Sequence, residues 1–271
     1  DLPRLPDFEE ETVRSTIMEL LNSRARFLAE RVDGIFRALS GTHVTNSPAA
    51  FRNRMIIAQL ITGYGTADHQ RVGYINDLRC VIAKFMGRDE PGYQASDAAV
   101  DFARRERRGE WVTLDGGALR MRCYKCGTAH LEVHPDMAWR LNCILAQLYP
   151  LAIPPEFREK PKRKPKDHVM MSRPLPFAVV AALGSLQQAY RHIPNTGPDA
   201  WRNPYRGEEI KNAVQHRNGG WVKSVATEEA ERVIAYIGGV KVDDGHGRVH
   251  FAFEYDAREV IAEIVCSGCL P

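Results

Sequence analysis

Four of the six cysteines fall into two equal spacings, Cys123-x2-Cys126 and Cys266-x2-Cys269, each with a glycine in or just after its turn. Thiolates two residues apart can hold two corners of a zinc tetrahedron. Two such pairs complete it, so the pattern predicts a zinc site built from Cys123, Cys126, Cys266 and Cys269. Four thiolates leave no open position, which makes the expected metal a structural staple from the C-terminus to the segment around Cys123. A second possible set is Cys123, Cys126, His130 and His134. Its C-x2-C-x3-H-x3-H spacing is tighter than the roughly twelve residues that a zinc finger places between its pairs. The remaining reading is four thiols without metal.

His130, just after the first cysteine pair, is the candidate for catalytic chemistry, with Asp77 and Asp136 as carboxylates that folding would have to bring beside it. Nothing local supplies a nucleophile–base pair, a pair of acidic catalysts or a phosphate-cradling glycine loop. The alternative for His130 is a hydrogen-bonded structural residue closing a turn.

Two basic knots are candidates for phosphate contact: Lys160, Lys162, Arg163, Lys164 and Lys166 in a Pro/Lys stretch, and Arg104, Arg105, Arg107 and Arg108. Lysine and arginine neutralise phosphates without reading sequence, so binding would weaken steeply with salt. The bland alternatives are a solvated hinge for the first knot and charge placed at a helix C-terminus for the second. Farther on, Trp201 and Tyr205 flank Arg202 and Arg206, which suits either base stacking or packing of a loop.

The composition frames these candidates. With 271 residues, 44% apolar and 26% charged, the chain has the material for one large or two ordinary soluble globular domains. A net charge of +3 is too small to argue nucleic-acid binding by itself. No apolar run reaches the length of a membrane span, and no signal peptide opens the chain, so a cytoplasmic protein is expected. The first residue is Asp1, not Met, consistent with native residues upstream. Paired cysteines in a chain of this length suit metal in a reducing compartment better than a disulfide scaffold.

The elements that must position these residues are legible from periodicity. Val13, Ile17, Leu20, Leu21, Phe27, Leu28, Val32, Ile35, Phe36 and Leu39 step by threes and fours, which predicts one long amphipathic helix over 12–40. Such a helix needs a partner surface, either within the chain or on a second subunit, which raises a homo-oligomer. The stretch 51–61 is apolar but too short to separate helix from strand. Helical spacing returns over 71–86 and over 96–108, the latter with Ser96 as its expected cap. The period then becomes two: 111–114, a turn at 115–117, 119–123 and 130–133 predict a three-stranded meander, followed by a helix over 137–148. The Pro/Lys stretch 157–173 reads as a linker between a part over 1–156 and a small α+β part over 174–271. In the second part, helices are expected over 175–190 and 227–237, a hairpin over 240–253 and a last helix over 256–265 that delivers Cys266. The fold class is therefore α+β: a helix-rich first part with a small antiparallel meander, tied by zinc to a second small part.

The run from about Thr12 to Glu156 resembles a bacterial family labelled only as a domain of unknown function. The resemblance rests on Gly34-Ile35-Phe36-Arg37-Ala38-Leu39-Ser40, Arg54-Met55-Ile56-Ile57, Ile75-Asn76-Asp77-Leu78-Arg79, the turn Lys125-x-Gly127-x-x-His130-Leu131, Asp136 and Asn142. That family occurs on phages, plasmids and other mobile elements, often joined to or near adenine-specific DNA methyltransferases. It favours an Asn-rich turn where this chain has Cys123 and Cys126, so zinc is not implied by the resemblance. The tail, with His250-Phe251-x-Phe253 and Tyr255-Asp256-Ala257-Arg258, is similar to the region preceding the methyltransferase part in some relatives. A methyltransferase itself is not expected: no Gly-rich strand–helix turn is present, and Asn203-Pro204-Tyr205 lacks the second proline of an amino-methyltransferase motif.

The leading expectation is a zinc-stabilised, non-catalytic protein of a mobile element that binds nucleic acid or the machinery handling it. Two others stand beside it: a host-defence or counter-defence protein acting through protein–protein binding, and an enzyme centred on His130.

Overall fold

The computed structural model describes residues 9–162, 169–171, 174–217, 220–243 and 248–270. Arg163, Lys164 and Lys166 of the Pro/Lys stretch lie outside these, as do Asn218, Gly219 and, within the expected hairpin over 240–253, Asp244 and Gly245.

The chain is α+β, with seven α-helices and two four-stranded antiparallel sheets among the described residues. The long amphipathic stretch forms one helix, α1 (Glu10–Ser40), with Glu10 and Glu11 in its first turn, where the helix dipole favours negative charge. Only its C-terminal half is seated: Ala29, Val32, Ile35 and Leu39 are buried, while Ile17, Leu20, Leu21 and Phe27 are exposed. The ambiguous stretch resolves as a short strand, β1 (Arg54–Ile57). Then come α2 (His69–Phe85), capped by Asp68 accepting from the Arg71 amide at 2.9 Å, and α3 (Tyr93–Arg105). Ser96 is not the cap of α3. It is buried one turn into the helix, and its hydroxyl accepts from Arg79 at 2.9 Å.

The meander is present as β2 (Val112–Leu114), β3 (Leu119–Cys123) and β4 (Ala129–Val133), and α4 (Pro135–Leu148) follows. The sheet is wider than the meander, because β1 adds to the free edge of β4 and the strand order becomes β1-β4-β3-β2. Leu119, Met121, Cys123, Leu131, Val133, Met55 and Ile57 alternate onto one face and join residues of α1–α4 in the larger core. Two glycines are dictated by close approach. Gly127, at φ 80° in the β3–β4 turn, has the Ile61 carbonyl where a side chain would start, and Gly117, at φ 81°, has the Val169 carbonyl there.

The second part departs from expectation at its start. The helix expected over 175–190 stops at Gly184 as α5 (Phe177–Gly184), and the chain enters β5 (Leu186–Pro194), which pairs with a twelve-residue β6 (Tyr205–His216). Mixed polarity over 187–192 satisfies a helix template as readily as a strand, and only pairing with β6 decides. Then follow α6 (Val225–Tyr236), capped by Ser224 with Thr227 completing a capping box, β7 (Val240–Asp243), β8 (Val249–Ala252) and α7 (Arg258–Ser267). The second sheet runs β5-β6-β8-β7, with its own core from α5, α6, α7, Val214 and Phe251.

The two parts meet along a polar seam. α7 returns to pack on β2 and α3, placing Ile261 and Ile264 in the second core and Cys266 in the first. Arg107 of the loop after α3 pairs with Glu259 (2.7 Å) and Glu263 of α7. The Leu175 amide donates to the Gly268 carbonyl at 2.7 Å, and the Met171 amide to that of Gly116 at 2.7 Å. Beneath this seam Arg79, 1% exposed, donates to both carboxylate oxygens of Asp115 at 2.8 and 2.9 Å. Burial works against the Arg79 charge, but Asp115 outweighs it and holds the guanidinium ionised. Removing one member of such a pair strands the other charge. Arg79→Met is expected to lose about 3–5 kcal/mol of folding stability in urea denaturation. Combined with Asp115→Leu it should lose clearly less than the two single changes added together; simple additivity would show that the pair is not energetically coupled.

Candidate nucleic-acid interface

The outward face of the first sheet gathers charge and rings that are scattered along the sequence. Strand alternation turns Arg54, Arg120, Arg122, His130 and Glu132 away from the core, and cross-strand register sets them in rows: Arg54 beside Glu132 beside Arg120, and Ile56 beside His130 beside Arg122. Glu132 binds both neighbours, accepting from Arg54 Nε at 2.7 Å and from Arg120. Burial tends to raise the Glu132 carboxyl, but these hydrogen bonds overcome it and hold it below the usual carboxylate range. Trp111, at the entry to β2, lies under both guanidinium groups, 5.6 Å from that of Arg54 and 4.8 Å from that of Arg120. Arg122 sits over the Tyr124 ring at 5.2 Å, and its buried Nε has no hydrogen-bond partner in the described structure. Glu132 thus serves two of the three arginines and leaves Arg122 to the Tyr124 ring, so the face carries an excess of positive charge interleaved with aromatic rings.

Clefts extend the face at both ends. Beyond β1, a cleft of about 730 Å³ is lined by Arg52, Arg54 and Trp139 and also by Glu156 and Glu159, with the Lys160 ammonium 5.8 Å from the Trp139 ring. Beyond the β3–β4 turn, a cleft of about 440 Å³ is lined by Tyr124, Lys125, Arg104 and Arg108.

The arginine knot divides in its use. Arg104 and Arg105 pair with Asp101, and Arg107 is taken by Glu259 and Glu263, so these serve the fold. Arg108 is exposed and donates to the Arg104 carbonyl at 3.0 Å, close to Lys125 in the second cleft. Lys160 joins the first cleft through Trp139, and Lys162 is at the edge of the described chain. Trp201, 84% exposed, and Tyr205 sit at the tip of the β5–β6 hairpin and do not pack the loop down.

The structure does not bring Asp77 or Asp136 to His130. Asp77 accepts from Arg31 at 3.3 Å across the α1–α2 contact, and Asp136 sits at the start of α4, 4.0 Å from His134 Nδ1. His130 instead places Nδ1 3.3 Å from the Tyr124 hydroxyl, with the two rings 4.7 Å apart. Burial first, then the fields of Arg54 and Arg122, hold its pKa below the ordinary histidine value. The ring is therefore neutral at pH 7, an uncharged member of a basic face. Its ring-nitrogen neighbour is a hydroxyl, not Asp77 or Asp136.

Nor does the arrangement assemble the four-cysteine site. Cys126 is exposed at the tip of the β3–β4 turn beside Ile61–Gly65, whereas Cys269 follows Gly268, which abuts Gly116 before β3 begins. The length of β3, roughly 13 Å at strand rise, separates those two ends. Two sulfurs on one zinc are at most about 4.6 Å apart. Cys123 and Cys266 are buried as apolar packing, and burial pushes each thiol up to about 12. Among the described residues no three His, Cys, Asp or Glu side chains are grouped to hold a metal. The return of the C-terminus to the first part was expected. The residues that hold it are Arg107, Leu175 and Gly268, with Cys266 contributing only packing.

Sequence could have revealed the sheet face in one way: Arg120-x-Arg122 and His130-x-Glu132 put like-facing polar residues on strands whose other positions are apolar. Trp111 and Arg54 join them only through pairing.

Fold and face together define an α+β protein whose smaller first sheet is backed by helices and carries arginines and aromatic rings on its other side. The chain belongs to the family of a domain of unknown function (DUF4942), which matches residues 2–151 and so contains the whole of that sheet. No curated protein and no solved structure matches the chain. Among the described residues no helix is long and apolar enough to cross a membrane.

Two measurements test this geometry. In the folded protein a thiol reagent should modify Cys126 first, since it is exposed and hydrogen bonds from Thr128 lower its pKa, while Cys123 and Cys266 should wait for unfolding. Protection of Cys126 that a chelator relieves would instead show the four cysteines gathered on metal. His130 supplies the second. Its folded pKa is below the unfolded value of about 6.5, so the unfolded chain takes up the proton first as pH falls, and stability is lost below that value. His130→Asn should lose less stability than the parent chain between pH 7.5 and pH 5.5 in denaturant titrations.

Proposed function

We propose that the chain is a non-catalytic nucleic-acid-binding protein and that the outward face of the first sheet is its binding surface. The observation that carries this reading is the set of Arg54, Arg120 and Arg122 stacked with Trp111 and Tyr124 on one sheet face, with a single carboxylate among them. Guanidinium groups neutralise phosphates, and guanidinium planes and aromatic rings stack on unpaired bases whatever their identity. Lys125 and Arg108 in the second cleft extend the positive path, Arg52 and Lys160 stand at the first, which Glu156 and Glu159 also line, and the exposed Trp201 and Tyr205 offer a second stacking point on the β5–β6 hairpin. The family resemblance supports a setting on a mobile element such as a phage or plasmid, in company with adenine-specific DNA methyltransferases. A reading as a protein-binding partner in defence or counter-defence draws on a different observation, the exposed apolar residues of α1.

Polarisation titrations with a labelled single-stranded oligonucleotide at two salt concentrations test the proposal. Affinity should fall with salt, Trp111→Ala should weaken it between about fivefold and a hundredfold, and Arg122→Gln should reduce the logarithmic salt slope by about 0.7. Absence of binding at low salt, or binding indifferent to salt, overturns it.

A further inference from the structure

Residues 10–27 of α1 extend for about 27 Å, and among the described residues no element is seated along them. Over this length Val13, Ile17, Leu20, Arg24 and Phe27 follow steps of four, three, four and three, the spacing of a coiled-coil seam, and Leu21 flanks it. Ile17, Leu20, Leu21 and Phe27 are between 46% and 54% exposed, although the same helix buries Ala29, Val32, Ile35 and Leu39 half a helix away. A polar helix could stand free as an extension of its anchored half. An apolar stripe on such a helix loses its hydrophobic free energy to water unless something covers it.

We infer that the occupant is α1 of a second copy of this chain, packed antiparallel. The charges select both the partner and the direction. Glu9, Glu10 and Glu11 lie at one end of the free segment, followed by Arg14, and Arg24 and Arg26 lie toward the other, Arg26 also 3.6 Å from Glu30 of its own helix. An antiparallel pair centred between Ile17 and Leu20 packs those residues across the axis and sets the acidic end of each helix beside the arginines of its mate. Arg24, the polar position in the seam, then extends toward Glu10 and Glu11 of the other chain. A parallel pair would stack Arg24 on Arg24 and acid on acid, which is destabilising at the spacing of a coiled coil. The interface is isologous, so each contact occurs twice. This inference is independent of the nucleic-acid reading, because none of its residues lies on the first sheet.

Sedimentation equilibrium of the full chain over a concentration series is the test. A dimer is expected, and Leu20→Glu, on an exposed position that should leave both cores intact, should weaken it by at least about a hundredfold because the contact is lost twice. Glu10→Lys with Glu11→Lys should also favour monomer, and adding Arg24→Glu with Arg26→Glu should restore the dimer. A wild-type chain that stays monomeric up to its solubility limit overturns the inference, as does a dimer unmoved by Leu20→Glu. Failure of the fourfold charge exchange to restore association overturns the antiparallel arrangement. Near-ultraviolet circular dichroism of each variant distinguishes loss of pairing from loss of the folded cores.

Discussion

The arginine–aspartate pair buried in the first part, beneath its junction with the second, is the constraint on which the rest of the arrangement depends. Arg79 comes from α2 in the helical layer and Asp115 from the tight turn between β2 and β3, so their bidentate contact fixes helix layer against sheet. Ser96 of α3 takes a third guanidinium hydrogen. Around this centre the second part is assembled: the Arg88 guanidinium lies 4.0 Å from the Phe177 ring at the start of α5 and 3.9 Å from Asp115, and it donates to the Leu175 carbonyl. Burial lowers the Arg88 pKa, with Asp115 opposing and Arg79 adding to the fall, so two cations share one buried carboxylate. Charges are costly in such a place unless geometry satisfies them, which is why the position of Asp115 is so narrowly set.

That seam also explains why a boundary read from composition is only partly a boundary in space. The Pro/Lys stretch separates two hydrophobic cores, as its polarity suggests, but α7 contributes to both. Helix α7 is held by Arg107, a residue that looked like part of a phosphate-binding knot and whose guanidinium is instead committed to Glu259 and Glu263. Under the proposed function, positive charge open to a ligand shifts from the end of α3 to the first sheet, where Arg54 and Arg120 share Glu132 and Trp111 and Arg122 lies over Tyr124. A sheet backed by helices on one side and lined with guanidinium groups and rings on the other is rigid, and rigidity is what a stacking surface requires.

Several residues of the family motifs find structural work, not chemical work. Asn142 accepts from the Phe51 amide at 2.8 Å and donates to the Phe51 carbonyl at 2.9 Å, clamping the chain just before β1. Gly127 admits the Ile61 carbonyl, Asp77 holds Arg31, and Arg79 anchors the seam. His130 faces outward on β4, where the motif joins the candidate binding face.

What the chain's own sequence determined is the local layer: the long helix, the change to a two-residue period at Trp111 and the final helix bringing Cys266 back. Those follow from side-chain periodicity and from glycine and proline punctuation, which act over a few residues. The strand at 186–194 escaped because its mixed polarity fits either period, and β1 because four residues are too few for a period to show. The use of each cation, histidine and cysteine belonged to tertiary structure alone. An arginine reads the same in sequence whether it meets Asp101, Glu263 or the Trp111 ring, and a C-x2-C pair reads the same whether its partner pair lies beside it or a strand's length away. Pairing across sheets and helices sets those distances, and electrostatic and coordination energies depend on distance before they depend on residue type.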